Sequence, residues 1–286
     1  GCAVSMTFHK HPPRLLCHYC GAEKPVPQRC SKCGTGELKP GGSGTQKAET
    51  LLKELFPTAR IGRLDRDVAT GRQVEEILDQ LRREELDILV GTQMVTKGHD
   101  FPLVTLVGVL NADVGLHMPD FRASERTFQL LTQVAGRAGR SELGGEAFIQ
   151  TYSCDHHAIE MAKTHDFEAF AELETAFRQE LSYPPFGRLA ALRLSSLDEH
   201  KVEASARELF VALKNARDAQ NRSEVTMLGP VPAPLPFVQN RYHWRILLRA
   251  PRQDQIRGLL EPLIPNIEKP PTGVRIHLDI DPMSML

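Results

Sequence analysis

Between Thr45 and Thr151, short apolar runs alternate with segments of helical period, and few folds satisfy that pattern. Ala48, Leu51, Leu52 and Leu55 recur at i, i+3, i+4 and i+7, and Pro57 ends the run, so an amphipathic helix is expected there. A short strand is expected over residues 60–64, and Val74, Ile77, Leu78 and Leu81 repeat the helical spacing. Residues 87–90 read as a buried strand, residues 104–110 as a second strand, residues 124–138 as a helix and residues 146–151 as another strand. Strands separated by helices of this length build βαβ units, hence a parallel sheet with helices on both faces.

Residues 156–180 are helical in pattern and rich in Glu, and Pro184-Pro185 breaks them. Beyond that break the expected elements are a strand at 189–194, a helix at 199–216, strands at 225–228 and 245–249, a helix at 253–263 and a strand at 274–280. This β-α-β-β-α-β order is that of a ferredoxin-like α+β unit, with the Pro-rich stretch 230–236 expected to connect its middle strands. At 286 residues, against about 150 per domain, two compact units plus smaller pieces are expected.

The opening 40 residues differ from the rest. Pro12, Pro13, Pro25, Pro27 and Pro40 interrupt them, little periodicity is visible, and five of the six cysteines fall within the first 33 positions. Cys17-x-x-Cys20 and Cys30-x-x-Cys33 can offer four thiolates to one tetrahedral Zn²⁺, which would organise a segment unable to bury a core of its own. Four thiolates leave no open coordination position, so a structural ion is expected, not a catalytic one. Doubled pairs of this kind belong to a reducing compartment, and no apolar run is long enough to span a bilayer, so a cytoplasmic chain with no membrane association is expected. Cys2 lacks a nearby partner and the chain opens without Met, which suggests a fragment; Cys154 reads as an unpaired thiol.

The formal net charge is −1, which excludes a global positive field and leaves nucleic-acid binding to local patches. Two segments carry such chemistry. In Gln133-Val-Ala-Gly-Arg137-Ala-Gly-Arg140 a helix places Gln133, Arg137 and Arg140 on one face, and the glycines between them allow a close approach. Two planar guanidiniums on a glycine-lined edge suit a transferring γ-phosphoryl group, whereas a solvated basic helix end would have little use for two interior glycines. The segment running from Gly91 and Thr92 through Thr96, Gly98 and Asp100 follows a buried strand, where amides and hydroxyls can grip a sugar-phosphate backbone without reading bases. Taken alone it could equally be a structural turn. Gly41–Lys47 is glycine-rich but lacks the Gly-Lys-Ser/Thr ending of a triphosphate loop, and neither a Walker A nor an acidic Mg²⁺ box occurs in these 286 residues.

The GTQM…KGHDFP and QVAGRAGR segments look like motifs V and VI in the second RecA-like lobe of superfamily 2 helicases. Together with LLCHYCG…CSKCG, GSGT, FPTARIGRLDRD, DFRASER, LGPVPAP and HWRILLR, in this order, they resemble the PriA (primosomal protein N′) family of replication-restart helicases over nearly the whole chain.

That resemblance implies a carboxyl-terminal portion: residues 1–40 as part of a zinc-binding insert, 41–155 as RecA-like lobe 2, 156–185 as a helical linker and 186–286 as a ferredoxin-like domain binding DNA forks. It further implies an ATP-dependent 3′-to-5′ helicase, with the Walker A and DEAH boxes in the other lobe, so that this chain alone is expected to be inactive. Arg140 becomes the arginine finger, Arg137 its γ-phosphate companion and Gln133 the link from the nucleotide to the lobe interface. Gly91, Thr92 and Thr96 would touch the DNA strand, and Gly98 and Asp100 would couple that contact to ATP. Arg241 and Arg245, alternating with Arg249 on one strand, would bind DNA. Two nested zinc ions are implied, with Cys2 joining Cys17 and Cys20, and Cys30 and Cys33 serving the other. ATP with Mg²⁺ is the implied cofactor. The implied partners are branched and single-stranded DNA, single-stranded DNA-binding protein and primosome proteins, with the protein itself a monomer. A RecG-like translocase and a non-catalytic zinc-bearing docking module are the alternatives; Gln46, where the family usually has Glu, and Arg122 have no role on this reading.

Overall fold

The computed structural model describes residues 6–9, 13–17, 21–27, 29, 34, 44–64, 72–92, 101, 103–136 and 144–285. The chain forms two compact units that do not follow sequence order. One unit comprises Gly1–Leu38, His117–Ala123 and Ala171–Leu286, and the other comprises Lys39–Leu116 and Ser124–Phe170. This division differs from the expected one. The Cys-rich segment and the carboxyl-terminal domain share a unit because they share a core, and the expected linker is divided between the two units.

The first unit opens with three short antiparallel strands, β1 (Thr7–His9), β2 (Arg14–Leu16) and β3 (Glu23–Lys24), β2 lying between the other two. Arg14 and Glu23 pair at 2.9 Å across β2 and β3.

The second unit is α/β. Helix α1 (Thr45–Leu55) precedes β4 (Ile61–Leu64), and α2 (Arg72–Arg82) precedes β5 (Ile88–Gly91). β4 and β5 are parallel, with Ile61 opposite Ile88 and Leu64 opposite Gly91. The helical spacing read on α2 places Val74, Ile77, Leu78 and Leu81 on a core with Leu64 and Phe101. Where β4 and β5 begin, Asp87 accepts from the backbone N–H of Arg60 at 2.8 Å and from its guanidinium at 2.6 Å. These bonds favour the ionised carboxylate and hold Asp87 down to a pKa of about 2.

A second parallel pair is formed by β6 (Leu106–Val109) and β7 (Glu146–Ile149). Helix α3 (Asp113–Leu116) follows β6, and α4 (Ala123–Ala135) carries Phe128 and Leu131 into a core with Ala158, Ile159 and Phe170. The helical pattern after residue 156 resolves into α5 (His157–Thr164) and α6 (Phe167–Glu180), because His165 takes a left-handed conformation (φ 55°) that closes α5.

The carboxyl-terminal domain comprises β8 (Arg188–Ser196), α7 (Glu199–Ala219), β9 (Thr226–Val238), β10 (Arg241–Ala250), α8 (Gln253–Leu260), α9 (Ile264–Glu268) and β11 (Val274–Ile280). Its sheet order is β11-β8-β10-β9, antiparallel throughout, as the ferredoxin-like reading requires. Ala190, Leu192 and Leu194 of β8 and Trp244, Ile246 and Leu248 of β10 face the helices, meeting Val202, Leu209 and Leu213 of α7 and Ile256 and Leu259 of α8.

One expectation is corrected here: residues 230–236 are not a connection but part of β9. Proline falls at every second position (230, 232, 234 and 236), the pairing of β9 with β10 shifts register between Phe237 and Pro232 and between Val231 and Leu228, and β9 is the outer strand of the sheet. An outer strand loses no ladder bond on its open side, and it tolerates proline there.

Candidate functional site

Gly91 ends β5, opposite Leu64, and the N–H of Thr92 donates to the Leu64 carbonyl at 3.4 Å. Both Gly91 and Thr92 are exposed. They therefore occupy the carboxyl ends of parallel strands, the rim at which open α/β sheets receive ligands. On α4 the buried stripe Thr127, Phe128, Leu131 and Val134 turns inward, with the Phe128 ring stacked on Phe170 at 4.1 Å. Gln133 is left exposed in the last turn. The helix ends at Ala135, three residues earlier than its spacing predicts, and the Gly136 N–H donates to the Thr132 carbonyl at 3.0 Å. Arg137, Arg140, Thr96, Gly98 and Asp100 lie outside the described residues.

The donor chemistry at Cys17 fits a structural metal. Cys17 is 2% exposed, its N–H donates to Ala22 O at 2.9 Å, and its carbonyl accepts from the Gly21 N–H at 2.9 Å. These bonds bring Gly21 and Ala22 back to Cys17. Gly21 has φ 80°, a region L side chains rarely enter, and a Cβ there would also meet Val231 at 2.7 Å. Gly34 stands in the same place after Cys30-x-x-Cys33, again with positive φ (68°), so both pairs carry the same left-handed residue behind them. Cys2, Cys20, Cys30 and Cys33 lie outside the described residues.

The arginines of β10 are engaged within the protein. Arg245, expected to contact DNA, is 3% exposed and donates to the Met285 carbonyl. Arg249 donates to Leu181 O at 2.7 Å and lies over the Tyr183 ring, and Arg241, half-buried, donates to Ser195 O at 3.1 Å. The alternation of the three residues on one face was legible, but not that this face is covered. Cys17, Phe121, Tyr183 and Met285 pack over Leu189, Ala191 and Leu247, closing the side of the sheet away from the helices. Arg245→Ala is therefore expected to cost about 2–4 kcal/mol of unfolding free energy in a urea titration, from the lost packing and the stranded carbonyl. It should leave the salt dependence of DNA binding unchanged; a slope smaller by about one unit would restore Arg245 as a phosphate contact.

Residues that sequence reasoning left without a role prove to be connectors. Asp113 accepts from Thr151 Oγ1 (3.1 Å), the Tyr152 N–H (2.9 Å) and Ser153 Oγ (2.7 Å), tying the turn after β7 to α3. Asp120, 3% exposed, accepts from the N–H groups of Arg122 (3.0 Å) and Met285 (3.2 Å), while Arg122 donates to Met283 O at 2.8 Å. The spacing of two residues between Asp120 and Arg122 at a helix start was the available signal, but both of their partners in the 283–285 segment lie more than 160 positions away.

Three family descriptions match successive stretches of this architecture: the PriA DNA helicase Cys-rich region over 1–25, the helicase conserved C-terminal domain over 43–142 and the primosomal protein N C-terminal domain over 179–283. The replication restart protein PriA of Bacillus subtilis is 41% identical over 100% of the chain. The chain is similar to the PriA proteins along its whole length. Replication restart protein PriA of Treponema pallidum is 38% identical over 100% of the chain, and that of Haemophilus influenzae 37% identical over 99%. The chain spans 35%, 43% and 38% of those three PriA proteins, and so corresponds to a carboxyl-terminal PriA portion. Among the described residues no helix is long and apolar enough to cross a membrane.

Proposed function

We propose that this chain supplies the second motor lobe, the zinc-bearing insert and the fork-binding domain of an ATP-driven 3′-to-5′ DNA helicase. That helicase acts on stalled or branched replication forks, unwinds DNA and starts primosome assembly for replication restart. The observation that carries the reading is the placement of Gln133. It stands exposed in the last turn of a helix that leads directly into Arg137 and Arg140, in a parallel α/β unit whose Gly91 and Thr92 sit at strand carboxyl ends.

On this reading Mg·ATP is held chiefly by a companion lobe, and lobe closure brings Arg140 and Arg137 to the γ-phosphate with Gln133 beside them. Gly91, Thr92 and Thr96 hold the DNA backbone, and Gly98 and Asp100 relay that grip to the nucleotide. Cys2, Cys17 and Cys20 hold one structural zinc, while Cys30 and Cys33 contribute to a second. The partners are branched and single-stranded DNA, single-stranded DNA-binding protein and primosome proteins, met in the cytoplasm by a monomeric enzyme.

ATP hydrolysis by the full-length protein, measured with and without branched DNA, tests the reading. Stimulation by DNA is the expected result; hydrolysis indifferent to DNA would overturn the helicase reading, and no hydrolysis at all would leave the non-catalytic docking module.

A further inference from the structure

The segment after β11 is held across the sheet by side chains from several distant parts of the chain. Asp281 receives the Leu189 N–H at 3.2 Å and pairs with Arg188 at 3.2 Å. Arg122 donates to Met283 O, Arg193 to Ser284 O and Arg245 to Met285 O, so three guanidiniums take three successive backbone carbonyls. The Met285 N–H goes to Asp120, and the Met285 side chain, 2% exposed, packs with Phe121 and Tyr183, whose rings stack at 5.3 Å. Burial of one methionine would need none of these polar contacts. They fix the path of the backbone residue by residue.

Two of the clasping residues stand immediately before α4. Asp120 spends one carboxylate oxygen on the Arg122 N–H and the other on the Met285 N–H, and its carbonyl accepts from the first residue of the helix, Ala123, at 3.1 Å. The same residue therefore starts α4 and grips the strap. Along the chain, the thirteen residues of α4 follow this clasp and precede Gly136, Arg137 and Arg140.

We propose that Arg122 and Asp120 are positioning residues, which fasten the chain just before α4 to the backbone of Met283–Met285. Occupation of the carboxyl-terminal domain by branched DNA thereby changes the rate of ATP hydrolysis. The proposal rests on the helicase reading above, and it assigns the clasp no contact with nucleotide or DNA. Coupling of this kind is a free energy shared by two sites, so breaking the clasp should remove communication and leave each site's own binding in place.

In the full-length protein, Arg122→Ala should keep the unstimulated rate of hydrolysis, the KM for ATP and the affinity for branched DNA. It should reduce the stimulation of kcat by that DNA roughly tenfold. Arg122→Lys, which can still donate to Met283 O, should recover most of the stimulation; a side chain serving only as packing would not separate the two substitutions in this way. Stimulation of wild-type size in R122A overturns the clasp, whereas an unmodified protein without DNA-stimulated hydrolysis overturns the helicase reading beneath it. Should R122A fail to fold, hydrogen exchange at the Met285 amide of the unmodified protein decides: its protection should change when branched DNA is added, and an amide indifferent to DNA overturns the proposal.

Discussion

Replacing Arg140 by Ala in the full-length protein is expected to lower the maximal rate of ATP hydrolysis by on the order of 10³-fold, while fork binding stays close to that of the unmodified protein. Such a loss corresponds to about 4 kcal/mol of transition-state stabilisation. It falls on kcat because the charge that Arg140 meets develops as the γ-phosphoryl group departs and is weaker in the ground state. Arg140→Lys should recover little, since an ammonium offers a point charge where a planar fork is needed. Steady-state kinetics with DNA present would measure the effect, and a variant hydrolysing ATP at nearly the full rate would remove Arg140 from the catalytic role. Gln133 is exposed in the last turn of α4, which precedes the arginines in the chain.

Zinc removal should have the second large effect. Structural zinc in small peptides carries on the order of 10 kcal/mol of apparent binding free energy at neutral pH, as much as a whole domain's stability. The short strands β1 to β3 have no comparable core of their own. Cys17→Ser in the full-length protein should therefore release one of two zinc ions and open the Cys-rich segment to proteolysis. Because Cys17 also packs with Leu189, Leu247 and Met285, the damage should extend to the covered face of the carboxyl-terminal sheet and lower its melting temperature. Metal analysis that still finds two ions after the substitution would show that Cys17 is no ligand, and would leave it as a buried apolar residue.

Much of the molecule was legible because local chemistry dictates it. The period of Val74, Ile77, Leu78 and Leu81 marked the buried face of α2, the β-α-β-β-α-β order marked the ferredoxin-like domain, and the cysteine spacing marked the metal segment. Each of these signals lies within a few residues of chain, where helix pitch, strand pleat and chelate geometry leave few choices.

What the sequence could not disclose is which of two faces a strand turns to solvent. The spacing of Arg241, Arg245 and Arg249 along one strand puts them on one face, but does not tell whether that face meets a ligand or is covered. Coverage of that face by Cys17, Phe121 and Met285 depends on segments drawn from both ends and the middle of the chain. The prolines of β9 are hidden from sequence for a related reason, since proline excludes a central strand but not an outer one, and only the sheet order tells them apart. Asp120 and Arg122 gained partners from Met283 and Met285 in the same way. Period and spacing therefore determined most of the elements and the apolar face of α2 by themselves, whereas burial of charge was decided by long-range packing, because a guanidinium can leave water only where folding delivers acceptors to it.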